Sequence, residues 1–188
     1  MIKLHTPLTI EKLSQLKAGQ EVLLSGIIYT GRDAAHKRLQ ALFDENKPMP
    51  FDIEDATIFY VGPTPNKPNQ IFGSGGPTTS GRMDAYAPML LENGLRSMIG
   101  KGYRSEEVKA AIVANGGTYF GAIGGAGAII SDCVKSAEII AFEDLGPEAI
   151  RQLEIKDMPL VVLYDAHGND LYTLGRQDYL ESRNKNGI

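Results

Sequence analysis

The feature that most constrains this chain is a set of short apolar runs, each closed by glycine or a polar junction and followed by a helical pattern. Glu21-Val-Leu-Leu-Ser-Gly-Ile-Ile-Tyr29, Thr57-Ile-Phe-Tyr-Val61, Arg96 to Gly102 and Thr118 to Ile123 read as strands, with Glu138 to Phe142 as another. The first run ends in Thr30-Gly31-Arg32-Asp33, and Ala34, Ala35, Leu39, Leu42 and Phe43 begin a helix at once. Asp33 is placed to be its N-cap, and the helix should stop near Asn46, before Lys47-Pro48-Met49-Pro50. Thr9 to Ala18 predicts a short amphipathic helix with Thr9 as cap. Ser105, followed by two acids, opens another helix through Ala114, and Ala128 to Val134 is a fourth, entered by a close-packing turn at Gly124 to Gly127. Strands alternating with helices predict an α/β fold, and nothing reads as an interdomain linker, so residues 1–188 are expected to form a single domain. In such folds, active groups gather outside the carboxyl ends of strands, where Arg32 falls.

The C-terminal part is less regular. Ile150 to Ile155 fits helix or strand, Pro159 to Asp165 with Leu171 to Thr173 predicts a β-hairpin, and the tail from Glu181 to Ile188 is polar.

Charge decides what partners to exclude. With a net charge of -4 and no basic run, the chain offers no general nucleic-acid surface. A local cation in an acidic protein must then be placed rather than spread. The single cysteine, Cys133, excludes an internal disulfide, fits a reducing compartment and sits in an apolar segment as a core thiol. No apolar run approaches the roughly 20 residues of a membrane span, so a cytoplasmic protein is expected.

The densest motif is Gly73-Ser-Gly-Gly-Pro-Thr-Thr-Ser-Gly-Arg-Met-Asp84, followed by a segment to Asn93 that reads as a helix. Its small residues let backbone approach a ligand, and Arg82 supplies a planar fork of donors for carboxylate or phosphate. Two readings stand: an anion-gripping loop at a helix N-terminus, or a glycine-rich turn whose hydroxyls cap that helix. Arg32, Arg82 and Lys101 share one setting, a cation beside glycine at a turn, which is what a pocket for a small polyanion requires. Thr78, Thr79 and Ser80 could donate to a carboxylate, but a hydroxyl needs a proton acceptor to serve as a base. His5, His36 and His167 are scattered, so a metal site made by this chain alone is not expected; His36 reads as a solvated helix residue that could also face the pocket of Arg32. The Gly121 to Gly127 run lacks the third glycine and the acidic strand end of a dinucleotide fingerprint.

Tyr60-Val-Gly-Pro-Thr-Pro65, Gly75-Gly-Pro-Thr-Thr-Ser-Gly-Arg-Met-Asp84 and Met98-Ile-Gly-Lys-Gly102 together resemble the class I (iron–sulfur) fumarate hydratases. The likeness is to their β subunit, equivalent to the C-terminal domain of the single-chain enzymes, and L(+)-tartrate dehydratase β subunits share the pattern. It extends through Ala141 to Asp144 and Val161 to Leu171.

The resemblance implies a three-layer swivelling β/β/α domain and the reversible hydration of fumarate to (S)-malate. The family uses a [4Fe–4S] cluster held by three cysteines. With only Cys133, this chain implies a hetero-oligomer whose α subunit holds the cluster, and no activity alone. Arg32, Thr78, Arg82 and Lys101 match positions resembling the family's dicarboxylate contacts, with Thr79 beside them and Asp33 and His36 as weaker pocket candidates. The resemblance gives the proton-transfer role to Thr78, helped by an aspartate of the α part. A non-catalytic anion-binding module is the alternative from another functional class.

Overall fold

A computed structural model describes residues 1–66, 68, 70–122 and 127–176. Five strands run parallel in the order β1 (Ile2–His5), β2 (Glu21–Thr30), β3 (Thr57–Phe59), β4 (Ser97–Gly100) and β5 (Thr118–Ala122). Every residue of β3, β4 and β5 is buried, which is why these runs are continuously apolar rather than alternating. Two antiparallel strands complete a seven-stranded sheet: β6 (Val134–Ala141) on the edge and the long β7 (Ile150–Tyr164). β7 pairs with β6 and β2 over its first half, then with β2 and β5 over its second, so the ladder from β2 through β5 returns to β2 as a ring. Its change of partner falls at a bulge between Leu24 and Gly26 (φ +109°), which pair with Met158 and Ile155; Asp157 (φ +52°), lying between those two, donates its N–H to Ser25 Oγ at 2.9 Å.

The helices connect the parallel strands. α1 (Ile10–Leu13) and α2 (Asp33–Asp44) flank β2; α3 (Ala87–Glu92) precedes β4; α4 (Glu106–Ala114) joins β4 to β5; α5 (Gly127–Cys133) precedes β6. Thr9 and Ser105 cap α1 and α4 as expected, accepting from the N–H groups of Lys12 and Val108. One cluster, Leu13, Leu24, Ile28, Phe59, Phe120 and Leu153 among it, fills the inside of the sheet. A second, with Tyr60, Leu90, Met98, Ile112 and Tyr119, packs α3 and α4 on it.

Four expectations need correction. Asp33 is the first residue of α2, not its cap; the cap position is Arg32, and the free helical N–H of Ala34 donates instead to Glu148 Oε2 at 2.9 Å. The helix expected from Asp84 begins only at Ala87, because Pro88 is tolerated only in a first turn; residues Ser80–Met83 form a separate 3-10 turn. The loop from Gly73 is therefore not seated on an α-helix N-terminus. The C-terminal hairpin is also absent: β7 ends at Tyr164, a single bridge pairs Tyr164 with Asp170, and 171–176 are helical. Asp165 and Asp170 explain it, since their carboxylates accept the N–H groups of His167, Asn169 and Tyr172 and so build turns in place of a ladder. Lastly, Cys133 is only partly buried, although it packs against the first cluster, and burial pushes its thiol pKa up. The glycine turn expected at 124–126 and the tail from 181 to 188 lie outside the described residues.

Candidate functional site

The carboxyl ends of β2, β3 and β4 lie side by side in the sheet, and the motif folds across them. Val61, just past β3, bridges to Pro77, and Thr79 bridges to Lys101, just past β4. Thr78 N–H donates to Tyr60 O at 2.7 Å, and Ser80 N–H to Lys101 O at 2.9 Å. A left-handed Gly102 (φ +83°) then turns the chain sharply after Lys101. Sequence positions 30–33, 60–62, 77–82 and 101–102 thus meet on one edge.

The cations sit there in two contact groups. Arg82, with half its side chain exposed, donates from Nε to Asp33 Oδ1 at 2.8 Å. Arg32, more enclosed, lies 3.7 Å from Asp33 Oδ2 and 3.6 Å from Glu148 Oε1, and its guanidinium covers Gly62, where a Cβ would come within 2.7 Å of Nη1. Its Nε is buried without a partner among the described residues. Asp33 therefore ties the two arginines together. The second group is Thr78, Thr79 and Lys101, joined to the first through the 78–82 segment and by backbone bonds.

The hydroxyls divide by role. Ser80 is fully buried; its Oγ accepts from Tyr119 OH at 2.8 Å and from Lys101 N–H at 3.1 Å. Thr79 is exposed at the start of the 3-10 turn and makes no side-chain cap bond, so capping does not account for it. Thr78 is half-buried, held by its backbone.

His36 is not a solvated helix residue. It is fully buried, its Nδ1–H donates to Arg32 O at 2.8 Å, and its ring meets Tyr60 edge-on at 5.3 Å. Burial, reinforced by the Arg104 charge against the pull of the Arg32 carbonyl and Asp33, brings its pKa down to about 4. The imidazole is neutral at physiological pH, and its protonated nitrogen is taken up by the Arg32 carbonyl.

Sequence reasoning missed Arg104, Glu148, Tyr60 and Tyr119. Arg104 is buried, donates from Nε to Asp84 Oδ1 at 2.6 Å, and lies over the rings of Tyr60 and Tyr119 at 5.3 and 5.0 Å. Polar-tipped aromatics inside otherwise apolar strands were the available signal; for Glu148, whose contacts span 114 residues, there was none. The packing behind the site is tight. At Gly100 an added Cβ would overlap the Ser80 hydroxyl and stand 3.1 Å from the Tyr60 ring. Gly100→Ala is expected to destabilise the fold by about 1–3 kcal/mol, read from the midpoint of urea unfolding.

A mixed α/β domain with two arginines and a lysine at the carboxyl edge of its parallel strands is the class these features define. The particular family follows from comparison with known proteins: a family model described as Fumarase C-terminus matches residues 1–175, and the chain belongs to that family. The anaerobic class I fumarate hydratase of Escherichia coli strain K12 is 40% identical over 165 residues, covering 87% of this chain and 30% of its own length. Fumarate hydratase 2 of Leishmania major is 37% identical over 165 residues, covering 87% of this chain and 29% of its own. A putative L(+)-tartrate dehydratase subunit beta of Methanocaldococcus jannaschii is 36% identical over 171 residues, covering 88% of each. The chain thus spans under a third of those two fumarate hydratases and nearly all of that subunit.

A cluster held by three cysteines does not fit this chain. Cys133 is its one cysteine, and among the described residues no three His, Cys, Asp or Glu side chains gather as a metal-binding set. Nor is any described helix long and apolar enough to cross a membrane.

Proposed function

We propose that this chain is the β subunit of a heteromeric hydro-lyase that adds water reversibly to fumarate to give (S)-malate, and that its fold is the three-layer swivelling β/β/α domain. The observation that carries the reading is the convergence of the family motif's Thr78 and Arg82 with Arg32 and Lys101 on one sheet edge. Removing a proton beside a carboxylate builds charge on that carboxylate, in the manner of an aci-carboxylate. Cations and hydroxyl donors aimed there stabilise the transition state more than the ground state. Arg32 and Arg82 grip the carboxylates by their forks, Lys101 adds a point charge, and Thr79 donates a hydrogen bond. Thr78 stands at the proton-transfer position, with an aspartate of the partner as acceptor, because a lone hydroxyl is too weak a base. The [4Fe–4S] cluster belongs to an α subunit with its own cysteines.

Coexpression with a cysteine-bearing α chain, followed by anaerobic cluster reconstitution, tests this. The assembled protein is expected to hydrate fumarate and dehydrate malate, and neither chain alone to do so. An assembled, cluster-loaded complex inert toward fumarate and malate would sink the reading. A second reading, a tartrate dehydratase β subunit, is favoured by the match over 88% of each chain to the Methanocaldococcus jannaschii subunit and predicts turnover of L(+)-tartrate in the same assay. The two substrates differ by one hydroxyl, so relative kcat/KM decides between them.

A further inference from the structure

Behind the open edge lies a layer of buried polar side chains that the proposed reaction does not use. Asp84 Oδ1 accepts from Arg104 Nε and its Oδ2 from Ser105 N–H, each at 2.6 Å, with side-chain exposures of 16% for the aspartate and 0% for the arginine. The Arg104 guanidinium lies against both the Tyr60 and Tyr119 rings, and its Nη1 reaches Met98 Sδ at 3.4 Å. Arg104 N–H donates to Tyr164 OH at 3.3 Å, fixing the backbone just after Lys101. Tyr119 OH donates to Ser80 Oγ, and lies 3.2 Å from Gly102 O.

Each of these contacts holds backbone that carries a candidate site residue. Asp84 ends the 3-10 turn of Arg82; Ser80 joins that turn to Lys101; the Tyr60 carbonyl fixes Thr78. The layer is an expensive way to fill a core. A buried ion pair is often no more stabilising than apolar side chains of similar volume. Here Arg104 Nη2 and the Tyr60 hydroxyl also lack a well-aligned hydrogen bond among the described residues. Stability alone gives no reason for an arginine between two tyrosines at this depth.

We infer that Asp84 and Arg104, with Tyr119, are positioning residues: the buried ion pair and the Tyr119–Ser80 bond set the placement of Thr78, Arg82 and Lys101 relative to one another. The pair acts through the backbone of 78–84 and 100–104. The catalytic side of this inference rests on the hydro-lyase reading; the structural side does not.

The variant Asp84→Asn/Arg104→Met removes both charges together, so that no uncompensated charge stays buried, and keeps an acceptor for Ser105 N–H. Tyr119→Phe is the second variant, isosteric and lacking only the hydroxyl. In the full chain, amide hydrogen exchange at Thr78, Ser80, Arg82 and Lys101 is expected to speed up roughly tenfold or more in each variant, while amides of the β1–β2 ladder hold their rates. In the assembled enzyme, kcat/KM is expected to fall on the order of 10- to 100-fold at unchanged cluster content, the loss appearing in kcat as well as KM. Unchanged exchange at those four amides in either folded variant overturns the inference whatever the activity. Loosened amides with full kcat/KM overturn it too, because placement would then not matter to turnover. If wild-type enzyme proves inactive, the hydro-lyase reading fails, and the exchange result still decides whether the pair positions these residues.

Discussion

Arg82→Ala, in enzyme assembled from this chain and the cluster-bearing partner proposed for it, is expected to lower kcat/KM by about 2–5 kcal/mol of transition-state stabilisation, roughly 30- to 5,000-fold. The size follows from what the side chain is free to do. Arg82 spends its Nε donor on Asp33, and half of its side chain stays exposed. An exposed ion pair of this kind contributes only about 0–1 kcal/mol to folding, so the variant should unfold within about 1 kcal/mol of the parent. The loss should therefore appear in kinetics and not in stability. Its division is informative. If Arg82 binds substrate and transition state alike, KM rises and kcat holds; if it meets charge that develops only during proton removal, kcat falls. Losing Arg82 also leaves Asp33 facing Arg32 alone, at 3.7 Å, which should draw Arg32 toward Asp33 and deepen the defect. Arg82→Lys, which keeps charge but not the planar fork, is expected to recover only part of the rate. Full activity in Arg82→Ala would remove Arg82 from the site.

The parallel strands β2 to β5 and the helices α1, α2, α4 and α5 were legible because each signal is local, whereas the short edge strand β1 was not read. A buried strand is a run of apolar residues, and Thr9 and Ser105 cap helices through bonds three residues long. The site was legible for a related reason: Arg32, Lys101 and the motif all lie within a residue or two of a strand end or a proline-glycine turn. Where the reading failed, a distant group had taken over a local one. Glu148 accepts from the Ala34 N–H at the helix start, a capping role that had been expected of Asp33, while Asp33 binds Arg82. Pro88 moved the start of α3, a local rule that should have been applied. The hairpin failed because Asp165 and Asp170, both good turn formers, claimed the backbone N–H groups that a second strand would have needed. His36 was misjudged since nothing in its neighbours in sequence announces that Tyr60 and Arg104 will close over it.

His36 makes the second large prediction, one about pH. Its folded pKa lies at about 4, below the ordinary value of 6.5 that it regains on unfolding. Between those two values the unfolded chain binds the extra proton and the folded chain does not, so stability rises with pH. The contribution is fully present above pH 6.5 and is lost as pH falls toward 4, amounting to about 3 kcal/mol at 1.36 kcal/mol per unit. Acidification acts on the whole protein, so the wild-type curve alone does not isolate the histidine. The variant His36→Asn does, because its amide can still donate toward the Arg32 carbonyl and cannot titrate. At pH 7.5 the variant should be the less stable protein, having lost ring packing against Tyr60. As pH falls to 4, the wild-type advantage should shrink by about 3 kcal/mol, measured from urea midpoints at matched m-values. Parallel curves across that range would mean that His36 takes up its proton in the folded state as readily as in the unfolded one. The buried neutral imidazole behind Arg32 would then be wrong, and with it the view that no further positive charge is buried beneath the cations of the edge.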